Sequence, residues 1–172
     1  MHQISSRRIA PILGALGGLG PLSIDMYLPA MPKIAAHLNA GDGAVQMSLM
    51  AFFAGLTIGQ LFYGPVSDRV GRKAMINVGL ALFILGSIGC ATSVTAGQLT
   101  AWRFAQGLGG SIGMVLGFAV VRDLFTGRQA AALMALMMIV QGGAPVIAPL
   151  IGTAVISAAP WQAVFLVLAL FG

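Results

Sequence analysis

Asp25 and Arg103 are the two charges that interrupt long apolar stretches of this 172-residue chain. Asp25 stands in PLSIDMYLPAMPKIA (21–35) and Arg103 in LTAWRFAQGLGGSIG (99–113). An ionised side chain inside a membrane is costly, so it lines an aqueous path or finds a partner. Burial raises a carboxylate's pKa and a neighbouring cation lowers it. A carboxylate balanced between the two could bind a proton in one conformation and release it in another. Substrate competing with the proton for one pocket would then give antiport. Covalent chemistry has no comparable candidates: there is no His-Glu-x-x-His, no Cys-His set, no phosphate loop and no glutamate. The chain is therefore read as not an enzyme, with no cofactor and no metal.

The elements that must hold these two charges follow from composition. Hydrophobic residues make up 58% and charged residues 8%, against about 45–50% and about 25% in a soluble domain. Mean hydropathy is +0.95, so the expected solvent is a lipid bilayer. The pI near 10.4 does not imply nucleic acid, because nine basic residues make no broad basic face here. Cys90 is the one cysteine, which excludes an internal disulfide and any zinc pattern. The first apolar run follows Arg7-Arg8 without a cleavage signal and reads as a retained span.

A span needs about 20 apolar residues. Candidates run over 9–29, 45–63, 74–94, 99–121 and 130–156, with an incomplete sixth over 161–172. That last piece reaches only about 18 Å, so the chain is expected to stop inside the membrane. With the N-terminus in the cytoplasm, Arg7, Arg8, Arg69, Arg72, Lys73, Arg122 and Arg128 all fall inside and only Lys33 outside, as the positive-inside rule favours. Trp102 and Trp161 then fall at the outer boundary and Tyr63 at the inner one, as interfacial aromatics do. Asp25 is 17 residues from Arg8, and Arg103 is 19 from Arg122, or about 26 and about 28 Å of helix. Both charges are thus expected at similar heights, facing a common cavity, coupled directly or through water. The plainer alternatives are a near-interface carboxylate ahead of Pro29 and an arginine that snorkels to water.

Small residues recur at four-residue spacing, Ala51-Gly55-Gly59 and Gly109-Gly113-Gly117, which suits close helix packing. Met26, Met50, Met114, Met134, Met138, Phe52 and Phe53 could line an adaptable apolar pocket, or simply face lipid and neighbouring helices. His37 and His2 lack metal-ligand companions and read as solvated surface.

Four of the 13 charges fall within GPVSDRVGRK (64–73). Arg69, Arg72 and Lys73 suffice as a topology anchor. Asp68 weakens such an anchor, and reads as a carboxylate at the start of the third span, where a helix N-terminus favours it. Gly64 and Gly71 read as tight backbone turns.

This stretch resembles the G-x-x-x-D-R/K-x-G-R-R/K loop of the major facilitator superfamily. The resemblance implies a cytoplasmic gate latch formed by Gly64, Asp68, Arg69, Gly71, Arg72 and Lys73, joined by Arg122 and Asp123. Span four resembles that family's R-x-x-Q-G-x-G motif at Arg103, Gln106, Gly107 and Gly109, where the arginine is tied to proton transfer. GGAPVIAPLIG (142–152), with Gly142, Gly143, Pro145, Pro149 and Gly152, resembles the fifth-helix motif of drug/proton antiporters, departing from its fuller G-P-x-x-G-G form. Pro145 and Pro149 are expected to loosen that helix. DMYLPAMP (25–32) is similar to the first helix of Bcr/CflA drug-resistance transporters. Together these imply an all-α polytopic membrane protein, the N-terminal six-helix half of a major facilitator fold with its sixth helix truncated. They imply a proton-coupled efflux antiporter for small lipophilic drug-like substrates in a bacterial inner membrane. A C-terminal half or a second chain would complete the pathway. A metabolite or sugar carrier of the same fold, and a half-transporter that moves nothing, are the alternatives.

Overall fold

In lipid, every backbone polar group must be satisfied within its own segment, and helices do this. The computed structural model describes residues 6–172, with side chains from Ile9 onward. His2 lies outside the described residues, as do the side chains of Arg7 and Arg8. Among the described residues there are only helices and short connections. They are α1 (Ser6–Asp25), α2 (Met31–His37), α3 (Asp42–Val70), α4 (Arg72–Ala91), α5 (Ala96–Leu124), α6 (Gly127–Ala158) and α7 (Gln162–Phe171). Among the described residues five runs are long and apolar enough to cross a membrane, with α1 and α2 counted as one.

α1 and α2 are separated by a break with a 3-10 turn over Leu28–Ala30. Pro29 and Pro32 stand in the opening positions of the turn and of α2, where a missing N–H costs nothing. α5 starts on a reciprocal cap. Thr95 Oγ1 accepts from the Gln98 N–H at 3.2 Å, and Gln98 Oε1 accepts from the Val94 N–H at 3.1 Å.

α5 is the centre of the bundle, and its glycines are why. Steps of four residues advance the helix face by about 40°, so Gly109, Gly113 and Gly117 do not meet one partner. Gly109 lies on the Gly79 carbonyl of α4, Gly113 on the Leu16 carbonyl of α1, and Gly117 on Met137 of α6. Gly107 lies on the Phe52 carbonyl, and Gly55 of α3 returns the contact on the Phe104 carbonyl.

Several sequence expectations need correction. The stretch 64–73 is not a loop. α3 runs through it to Val70, α4 starts at Arg72, and Gly71 alone lies outside helix. Asp68 therefore sits in the last turn of α3, not at the start of the next helix. A carboxylate there opposes the helix dipole, and Arg72 at 2.6 Å compensates it. Gly64 is mid-helix and makes no turn. Gly71 does make one, at φ 101°, a conformation essentially reserved for glycine. Gly71→Ala is expected to cost about 1–3 kcal/mol, read as a lower Tm in detergent. Trp161 and Tyr63 are buried among neighbouring helices, while Trp102 is exposed. Trp161 packs edge-on against His37 and Phe165. α6 stays helical through Pro145 and Pro149.

Candidate functional site

The α1 break prepares the site. With the helix ending at Asp25, the Tyr27 N–H turns to the Ile24 carbonyl at 3.2 Å. The Ser23 carbonyl, its usual partner four residues back, is released. Arg103, on the second turn of α5, takes it: Nη1 donates to Ser23 O at 3.2 Å and to Gln106 Oε1 at 2.7 Å. Gln106 is three residues on, hence on the same helix face. Gln106 Nε2 donates to Ser87 Oγ of α4 at 2.7 Å. Tyr27 and Phe52 stack on the guanidinium, with Cζ 4.4 and 4.2 Å from their ring centroids, and the Phe165 ring of α7 stands at 5.8 Å. The Tyr27 hydroxyl pairs with Ser48 Oγ of α3 at 2.6 Å.

Arg103 is fully buried, so it does not snorkel. Among the described residues its Nε and Nη2 have no hydrogen-bond partner, and no carboxylate forms an ion pair with it. Nε–H and Nη2–H are the side-on fork of a guanidinium, the pair that grips a carboxylate or another twin acceptor. One nitrogen holds the protein together while the fork stays open. Buried π faces stabilise the charge only in part, by about 2 kcal/mol at a desolvated site.

Asp25 is not in this cluster. It is partly buried at the end of α1, and among the described residues it forms no ion pair. Of the two forms of coupling expected from the sequence, direct or through water, no direct ion pair joins the two charges among the described residues. A shallow apolar recess between α1, α4 and α7 is lined by Ile12, Leu16, Leu19, Leu80 and Phe171.

At the opposite end of the bundle, Arg72 bridges two carboxylates. It meets Asp68 at 2.6 Å and Asp123 of α5 at 3.0 Å, and also donates to Ser67. Ser67 Oγ donates in turn to the Gly64 carbonyl at 2.8 Å. Arg69, Lys73 and Arg122 are exposed and outside this cluster. In the fifth-helix segment, Gly152 packs on the Met26 carbonyl and Pro29, whereas Gly142 and Gly143 face open space. The Lys33 ammonium donates to the Ile156 carbonyl at 2.5 Å, capping the end of α6.

Sequence reasoning missed Ser23, Ser48, Ser67, Ser87, Tyr27 and Phe165. For Ser23, Ser48 and Ser87 the available signal was serine in several apolar spans alongside one that carries an arginine.

A bundle of membrane-length helices closed around a buried guanidinium defines a multi-pass membrane protein, and the comparisons make it more particular. Residues 13–172 match the Major Facilitator Superfamily, and the chain belongs to that family of transporters. It is 46% identical over 166 residues to the "Uncharacterized MFS-type transporter YdgK" of Bacillus subtilis, covering 95% of this chain and 41% of that protein. It is 39% identical over 158 residues to "Multidrug resistance protein MdtL" of Escherichia coli, covering 92% and 40%. The chain thus spans about two fifths of the length of these curated relatives.

Proposed function

We propose that the chain forms the N-terminal half of a proton-driven exporter of small lipophilic drugs, of the Bcr/CflA kind. It would lie in a bacterial inner membrane with its N-terminus in the cytoplasm. A C-terminal half, or a second chain, supplies the other wall of the pathway. The observation that carries this reading is the open fork of Arg103, buried and without a counter-ion. Similarity to a multidrug resistance protein supports the drug class. The excess of Arg and Lys at the end holding Arg69, Arg72, Lys73, Arg122 and Arg128 supports the orientation.

In this mechanism Asp25 carries the proton and Arg103 offers its fork to whichever acceptor the facing state brings. While Asp25 is ionised, its carboxylate and the fork together hold the polar groups of the drug, and protonation of Asp25 ends that binding and releases the drug. Proton and drug then exclude each other. The Arg72–Asp68–Asp123 cluster latches the cytoplasmic ends of α3, α4 and α5. Exposed ion pairs contribute about 0–1 kcal/mol each, which suits a latch that must open in every cycle.

The test is ethidium efflux driven by a pH gradient, in vesicles containing the full-length gene product. Asp25→Asn is expected to remove gradient-driven efflux, and Asp25→Glu to keep a measurable part. Full gradient-driven efflux in Asp25→Asn would overturn the role given to Asp25.

A further inference from the structure

Gln106 must hold its amide one way round for Arg103 to stay where it is. Arg103 Nη1 donates to Gln106 Oε1 at 2.7 Å. Turned by half a revolution, the amide would set its NH2 against the guanidinium, donor against donor. Ser87 of α4 makes that choice. Its hydroxyl donates to the Phe83 carbonyl at 2.8 Å, so its single proton is committed. Toward Gln106 it can only accept, and it accepts from Nε2 at 2.7 Å. Ser87, Gln106 and Arg103 are all fully buried, so bulk water offers no substitute partner. Gly86, beside Ser87, lies directly on the Gln106 backbone, which fixes the distance between α4 and α5 at this level.

We propose that Ser87 is a positioning residue for Arg103. By orienting the Gln106 amide it keeps Nη1 engaged and leaves the Nε–Nη2 fork as the part free to exchange acceptors. In the sequence Ser87 is one of several serines in apolar spans, and a serine in an apolar helix ordinarily does no more than bond back to its own backbone. Here that back-bond is what forces the hydroxyl to act as an acceptor. The proposal rests on the reading of Arg103 as the exchange site.

The experiment uses the full-length protein with 15N-labelled arginine and follows the Arg103 Nε–H signal, assigned by its loss in Arg103→Lys. Wild type and Ser87→Thr, which keeps the hydroxyl, are expected to give one signal. Ser87→Ala frees the amide to turn, and the signal is expected to split or broaden. In a Gln106→Glu background the carboxylate presents oxygen whichever way it turns, so adding Ser87→Ala should leave a single signal. An unchanged signal in Ser87→Ala overturns the proposal, and so does splitting that persists in the Gln106→Glu background. This readout needs no transport and so is decided separately from the efflux reading. In the efflux assay, Ser87→Ala is expected to fall about tenfold, the scale of one buried hydrogen bond, and Ser87→Thr to stay within about twofold. Efflux in Ser87→Ala equal to wild type also overturns it. If wild type itself exports nothing, the drug-export reading fails while the arginine signal still tests the positioning.

Discussion

Arg103→Lys is expected to lower gradient-driven efflux by about a hundredfold, although the charge is kept. A lysine ammonium has no plane to lie between Tyr27 and Phe52, and no side-on fork. It cannot bond Ser23 O and Gln106 Oε1 from one nitrogen while leaving two aligned donors free. Stability should behave differently. A buried charge without an anion is costly, and replacing such groups with apolar ones of similar volume is often neutral or stabilising by about 1–4 kcal/mol. Arg103→Met should therefore abolish efflux with little loss of Tm. Full efflux in Arg103→Lys would mean that charge alone suffices and the fork is not used. A collapse of Tm in Arg103→Met would make the cluster a structural device instead.

Gly113→Val is expected to prevent the bundle from assembling, at a cost of about 3 kcal/mol or more, the upper end for overpacking. What a side chain at Gly113 meets is the Leu16 carbonyl and the Gly17 N–H of α1. Backbone held in a helix cannot swing aside as a flexible side chain does. Gly107→Val faces the same obstacle on Phe52. Gly142→Ala is the control, because nothing lies near that position. Alanine should stabilise α6 there by about 0.5–1 kcal/mol through helix propensity. The measurement is the folded fraction after detergent extraction together with Tm. Similar losses at Gly113 and Gly142 would sink the packing account. Reduced efflux in a stabilised Gly142→Ala would support a working role for the fifth-helix motif.

Apolar length made the helices legible, because a stretch that must satisfy its own backbone in lipid has one solution. Their ends were not legible. Hydropathy stops at a charge, but a helix does not, and α3 continues past Asp68 and Arg69 to Val70. Gly64 and Gly71 in GPVSDRVGRK suggested turns, yet Gly64 is absorbed into α3 and of the two only Gly71 has the backbone that requires glycine. For the site, height could be counted along each helix but rotation could not. With about 100° per residue, equal depth leaves open which way a side chain points. So Arg103 and Gln106 were found together, while most of the groups around them were not. Those are the released Ser23 carbonyl, the rings of Tyr27 and Phe165, and the Ser87 that holds Gln106, contributed by segments far apart in sequence. The glycine rows were visible as packing surfaces, but nothing in their spacing said that Gly109, Gly113 and Gly117 would each meet a different helix.

That last arrangement has a mechanical meaning. A helix keyed by backbone contact to α1, α3 and α4 behaves like a splined shaft in its hub. Sliding any neighbour along it by one residue, about 1.5 Å, would drive a carbonyl or a side chain out of a notch made for hydrogen alone. Internal shear is therefore the stiffest motion available to this bundle. Rotation of the block as a whole leaves every notch engaged, so the compliance lies at the faces of α3 and α6 where apolar side chains such as Met47, Leu61, Ile139 and Leu150 still look outward.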